Sequence, residues 1–159
     1  MELSALTIRS GTIAELDTFA TFWIAMYEEC AILYETQLPR DWRDRFVAHF
    51  TRRIQDDDAR FFVACDGEIV GTAGAFVAEG YPALITEMDR GYIFGVRVAP
   101  THRKRGLAEA LTSECVTFLQ SKNCAKIRLH ASTFGRPIYE RMGFTATNEM
   151  ELPELCVPT

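Results

Sequence analysis

The chain has no C-x-x-C pair and no cysteine clustered with histidine, and its five cysteines, Cys30, Cys65, Cys115, Cys124 and Cys156, are odd in number. Neither a disulfide framework nor a metal site is expected from them. The opening MELSALTIRS lacks the basic segment, long apolar core and cleavage site of a secretory signal, so a reducing cytoplasm is the expected compartment. No membrane span is indicated. Positive charge is scarce: 17 Lys and Arg stand against 22 Asp and Glu, a net charge of −5. That argues against a general nucleic-acid binder, whose phosphate contacts demand a basic surface. Neither a G-x-G-x-x-G nor a Walker-type lysine and serine arrangement is present.

What is there fits one small soluble domain over residues 1–159, with 48% hydrophobic and 25% charged residues, enough for a single core without metal or disulfide support. Residues 6–9 read as a short strand. Thr12 with Glu15 three residues later is a capping-box signature. Ile13, Leu16, Phe19, Ala20, Trp23, Met26, Tyr27, Cys30 and Leu33 then recur at spacings of three and four, one buried face of a helix. Beyond Pro39, the positions of Trp42, Phe46, Val47, Phe50 and Ile54 make a second such stripe. Residues 61–65 and 69–77 are apolar strands joined by Asp66-Gly67, a hairpin signal. The acidic connection 78–90 is either a substrate-facing loop or irregular packing. A strand at 91–98, a helix from Leu107, a strand at 126–130, a short helix at 135–142 and a strand at 147–152 follow. The order β-α-α-β-β-β-α-β-α-β predicts an α/β (α+β mixed-sheet) fold.

The chemistry is carried by GYIFGVRVAPTHRKRGLAEAL at 91–111, where an apolar strand stops at Pro100 and a helix begins after a basic turn. The first N–H groups of a helix lack intrahelical acceptors and sit at the positive end of its dipole, which suits phosphate. Arg103, Lys104 and Arg105 add mobile positive charge. Gly106 removes a side chain that would hold a pyrophosphate off the main chain. Arg103, Gly106 and Ala108 fill an R-x-x-G-x-A pattern, and further along the chain reads HASTFGRPIYERMGF at 130–144. In this order the two segments resemble the pyrophosphate loop and the other cofactor-side motif of the GNAT superfamily of N-acyltransferases.

The resemblance implies a GNAT-like mixed sheet with a splayed central pair of parallel strands. It also implies transfer of the acetyl group of acetyl-CoA to a primary amine of a small molecule or peptide, by direct attack in a ternary complex. Backbone groups of Val96, Arg97 and Val98 are implied to bind the pantetheine arm. The side chains of Val96 and Val98 share one core-facing side, while Arg97 faces either solvent or the acceptor cleft. The phosphates fall to Arg103, Lys104, Arg105, Gly106, Leu107 and Ala108, with the amides leading; Lys104 and Arg105 read equally as surface charges. Ser132 points towards pantetheine or adenine, or caps the short helix. Arg136 approaches a phosphate or is a surface arginine. Tyr139 matches the tyrosine that protonates the leaving thiolate, with an ordinary phenol pKa near ~10; the plainer reading is a core tyrosine.

No general base stands out among Glu28, Glu29, Glu79, Glu87, Asp89, His49 and His130, while His102 reads as a turn residue, and a water relay meets the same need. The acidic loop suits a cationic acceptor such as a polyamine, an aminoglycoside or a lysine side chain. Trp23, Tyr27 and Tyr34 either help to line its site or pack in the core. A homodimer is expected by family analogy alone. The alternative function is a catalytically inactive acyl-CoA-binding sensor or regulatory domain, which binding without turnover identifies.

Overall fold

The structure, a computed structural model, describes residues 6–78 and 89–153. Along the chain run β1 (Thr7–Ser10), α1 (Leu16–Glu29), α2 (Trp42–Gln55), β2 (Ala59–Asp66), β3 (Glu68–Ala78), β4 (Arg90–Val98), α3 (Leu107–Ser121), β5 (Lys126–Leu129) and α4 (Arg136–Arg141), with 3-10 turns at Ile13–Glu15, Glu35–Gln37 and Pro100–His102. The five strands form one sheet in the order β1-β2-β3-β4-β5. All neighbours are antiparallel except β4 and β5, which are parallel.

Alternation along β2 sends Phe62 and Ala64 to one side of the sheet and Phe61, Val63 and Cys65 to the other, as a strand's period of two requires. Helix α3 closes the first side with Leu107, Leu111, Cys115, Phe118 and Leu119. The second side is closed by α1 and α2, through Leu16, Phe19, Ile24, Trp42 and Phe46. Phe19 is the centre of that layer, stacked on Phe61 at 4.8 Å and edge-on to Phe46 at 5.6 Å. The result is a three-layer mixed α/β arrangement. Cys115, on the sheet-facing side of α3 and wholly buried, is the small hydrophobe its position suggests, and burial pushes its thiol pKa well up.

The start of the first helical segment is fixed electrostatically. Thr12 N donates to Glu15 Oε1 at 3.0 Å, and both Glu15 oxygens accept from Arg9 at 2.8 Å. The capping carboxylate therefore also ties β1 to the helix. At the other end the apolar stripe runs on to Leu33, but the helix stops at Glu29. Ala31 turns left-handed at φ 54, with its N–H on Glu28 O and the Ile32 N–H on Tyr27 O. This is a Schellman ending, and it overrides periodicity.

One expected element is absent. The strand expected over 147–152 does not form, and 144–153 contains no regular structure. Its alternation is present, but Met150 and Leu152 are exposed, and what fastens it to β5 is a side chain, Arg128 Nη1 donating to Glu149 Oε2 at 3.0 Å. A cavity of about 680 Å³ separates the segment from β5 and α4. Alternation without an adjacent strand edge does not make a strand. Most of the expected 78–90 loop, with Glu79 and Glu87, lies outside the described residues.

Hydrogen bonding from Arg9, reinforced by Thr12, holds the Glu15 carboxyl down at about 2 against an ordinary 4.5. A depressed folded-state pKa contributes stability that is present above 4.5 and lost as pH falls towards 2. Glu15→Gln should cost about 1 kcal/mol at neutral pH and flatten the acid side of the stability profile, measured by urea unfolding from pH 7 downwards. Parallel profiles for wild type and variant over that range would contradict the assignment.

Candidate active site

The site begins with a bulge. In the β3–β4 ladder Thr72 faces Arg97 and Gly74 faces Phe94, so Gly95 and Val96 share the single partner Ala73. Gly95 sits at φ 62, a conformation that favours glycine. Its carbonyl accepts the buried Thr72 hydroxyl at 2.9 Å. A bulge bends its strand and sharpens the local twist. Pairing with β5 ends just before it, at Ile93 with Leu129, while β4 runs on to Val98. Over 94–98 the β5-facing edge of β4 has no strand partner among the described residues. This is the splayed parallel pair expected for the fold, placed at the edge of the described sheet rather than at its centre because no strand forms over 147–152.

Val96 and Val98 pack towards the α3 side, so any ligand contact from them is through backbone. The Val98 carbonyl already accepts Arg103 Nε at 2.9 Å, so of the three residues expected to offer free backbone groups, Val98 is engaged. Arg97 is neither solvent-facing nor open to an acceptor. Its side chain is 16% exposed and lies 5.2 Å from the Phe22 ring centre; Nη2 and Nε donate to Glu29 Oε1 at 2.5 and 3.1 Å.

Beyond β4 the chain makes the basic turn. Lys104 at φ 63 and Gly106 at φ 78 are both left-handed, and no side chain caps α3. The first-turn N–H groups of that helix are thus open donors. A Cβ built at Gly106 would meet no atom within 4 Å, so the space beside the main chain there is free. Lys104 and Arg105 are exposed. Leu107 is buried and Ala108 half-buried, anchoring the helix start in the core. An open helix end, a left-handed glycine and unshielded cations together fit a phosphate group. Ahead of the turn, His102 Nε2 meets Asp66 Oδ2 at 2.8 Å, fixing it to the β2–β3 hairpin as a turn residue.

Glu29 was a candidate base by sequence, and the structure corrects that. Its Oε2 accepts Arg103 Nη2 at 2.8 Å while Oε1 holds Arg97. Burial pushes its pKa up, but the hydrogen bonds and charges of Arg97 and then Arg103 outweigh burial and hold it below the usual carboxylate range. A carboxylate so committed is a poor proton acceptor at neutral pH. Glu28 is engaged as well, accepting Glu35 N at 2.9 Å.

Tyr139 lies on α4, 9% exposed, with its ring edge-on to Phe144 at 5.9 Å and against Gly135. Its hydroxyl has no hydrogen-bond partner among the described residues. Burial, and then Cys115, push the phenol from 10 up to about 12, so it is held protonated more firmly than the ordinary value expected from sequence. Ser132 Oγ accepts Gly135 N at 3.0 Å in the turn that leads into α4, whose own N-cap, Gly135, has no side-chain cap, and Arg136 Nε pairs with Glu140 Oε1 at 2.7 Å on the surface. Tyr139, Arg136 and His130 line the 680 Å³ cavity, together with Tyr92 and Arg128. Trp23 and Tyr27 are half-buried and edge-on at 5.2 Å, within the α1–α2 layer. Among the described residues no group of His, Cys, Asp and Glu is suited to a metal ion, and no helix is long and apolar enough to cross a membrane.

The parallel pair of this mixed sheet thus parts beside an uncapped, basic helix start. The acetyltransferase (GNAT) family profile matches residues 22–144, and the chain belongs to that family. Glucosamine 6-phosphate N-acetyltransferase of Trypanosoma brucei brucei is 35% identical over 82 residues, 50% of this chain and 53% of that one; the chain thus matches about half the length of that relative. In three dimensions the fold superposes on a GCN5-related N-acetyltransferase from Ralstonia eutropha, with a TM-score of 0.82 and 28% identity over 94% of this chain and 99% of the other. A predicted acetyltransferase of Clostridium acetobutylicum, crystallised with acetyl-CoA, gives a TM-score of 0.81 at 23% identity over 93% and 96%.

A Cβ at position 95 would fall 2.8 Å from the Phe19 ring, at a φ of 62. Gly95→Ala should therefore destabilise the protein by about 1–3 kcal/mol, read from its urea midpoint. An unchanged midpoint would show that the bulge is not the fixed geometry described.

Proposed function

We propose that the protein is an acetyl-CoA-dependent N-acetyltransferase, residues 1–159 acting as one domain, that acetylates a primary amine of a small molecule or peptide. The observation that carries this reading is the opening along β4 from Phe94 onwards, which leads directly into the uncapped turn at 103–108. Amides of Gly106, Leu107 and Ala108 would hold the phosphates, with Lys104 and Arg105 adding charge, and the unpaired edge of β4 at 94–97 would receive the pantetheine arm as a further strand would be received. Ser132, in the turn before α4, and Arg136, the first residue of that helix, would border that arm. Bound acetyl-CoA supplies the activated acetyl group. Family membership and the Clostridium neighbour's acetyl-CoA support the cofactor. The Trypanosoma relative's name supports a small-molecule amine as acceptor.

Two proton problems are left to the chain. An amine is mostly protonated at neutral pH and must lose a proton to attack. Glu29 is held by two arginines and Glu28 is bonded to the backbone, so neither is free to take that proton, and a water relay meets the need. The second is the leaving sulfur, for which Tyr139 keeps a proton at its free hydroxyl. A raised pKa keeps the tyrosine in its donating form throughout the physiological range.

The direct test is release of CoA thiol from acetyl-CoA against pools of amino sugars, amino acids, polyamines and lysine peptides, with an acceptor-free control. Release above control in one pool supports transfer and gives the acceptor class; binding of CoA with no release in any pool favours the sensor reading. With the responsive acceptor, Tyr139→Phe should lower kcat roughly 100-fold while CoA affinity stays within about twofold. A shared loss of melting temperature and affinity with unaltered kcat would make Tyr139 a packing residue.

A further inference from the structure

Arg103 is the first residue of the R-x-x-G-x-A turn, where sequence reasoning assigns it to phosphate. Its guanidinium is instead turned back on the protein. Nε donates to Val98 O at 2.9 Å and Nη2 to Glu29 Oε2 at 2.8 Å. The same carboxylate takes two bonds from Arg97 through its other oxygen. One side chain at the last residue of α1 therefore grips the end of β4 and the start of the turn at once. Arg97 is in turn backed by Phe22, also on α1.

We propose that Glu29 is a positioning residue for the cofactor's phosphates, acting through Arg103 rather than by contact with the ligand; this rests on the acyl-CoA reading given above. The physical need is visible in the backbone. Lys104 is not glycine, yet it holds φ 63. A strained residue of that kind persists only where its surroundings over-determine it. On its amino-terminal side the fixing contacts are His102 on Asp66 and Arg103 on Val98 and Glu29. On its carboxyl side the fixing element is α3 itself. Arg103 is thus the last anchor before the left-handed step, and Glu29 is the half of that anchor that comes from another layer of the fold. A turn held in its binding shape loses less freedom when phosphates arrive.

Simple charge counting gives the opposite expectation. Removing an anion near Arg103, Lys104 and Arg105 makes the turn more positive and should tighten an anionic ligand. Glu29 is already paired with Arg97 and Arg103, and exposed ion pairs of this kind change the free energy little in water. Loss of the tether weakens binding and gain of positive charge tightens it, so the two are told apart by the sign of the affinity change.

The test uses the full chain and coenzyme A itself, titrated calorimetrically at physiological salt, with no turnover required. Glu29→Gln keeps size and removes charge; Glu29→Asp keeps charge but is too short to span both arginines. Each should weaken CoA binding roughly tenfold while the melting temperature of the free protein moves little. Arg103→Gln should weaken CoA at least as much, and the Glu29→Gln/Arg103→Gln double variant should bind no worse than Arg103→Gln alone, because the two residues act as one unit. Additive losses in the double variant, unchanged affinity in Glu29→Gln, or tighter binding in Glu29→Gln would each overturn the proposal while leaving the acyl-CoA reading intact. Failure of the wild type to bind CoA would overturn that reading and the proposal together.

Discussion

Everything at the site depends on one backbone event, the bulge at Gly95. Two residues of β4 spend themselves on a single residue of β3, and from that point the strand leaves its parallel neighbour. Left-handed geometry at Gly95 and the close packing of Phe19 beneath it make the event possible only with a glycine. The Thr72 hydroxyl then locks it by donating to the Gly95 carbonyl. Without the bulge the β4 edge would stay beside β5, and the sheet would have no opening for a ligand.

The second constraint is that the opening must lead somewhere. Beyond Val98 the chain has only a few residues in which to stop a strand, turn and start a helix whose amides are free. It does so with two left-handed residues and three tethers: His102 to the hairpin, and Arg103 to the end of β4 and to Glu29. The bulge and the tethered turn are complementary. One leaves backbone groups along a strand without a strand partner and the other leaves them uncapped at a helix end, while apolar packing on the two sides of the sheet supplies the stability.

Periodicity made most of this architecture legible in the sequence. The stripes of α1 and α2, the Asp66-Gly67 hairpin and the strand-turn-helix around Gly106 all lie where local patterns put them. What failed failed for reasons of distance or of missing partners. The alternation at 147–152 is genuine, yet no strand edge lies against it, so no strand forms. The end of α1 follows Ala31's left-handed turn and ignores an apolar stripe that continues past it. Gly95 did leave a signal, a glycine inside an apolar strand, though the sequence does not say which neighbour the strand then leaves. Glu29 looked like a candidate base because its arginines are 68 and 74 residues away. Tyr139 was placed correctly on a short helix, but its raised pKa comes from burial that only the assembled layers create.

The central claim is that the parted edge of β4 and the turn after it form one ligand surface. Amide hydrogen exchange with and without acetyl-CoA measures it most directly. Slowed exchange at 94–97 and at 104–109 together is the result this account requires. Slowing confined to 127–131 and 144–152, around the 680 Å³ cavity beyond β5, would place the cofactor elsewhere and contradict it.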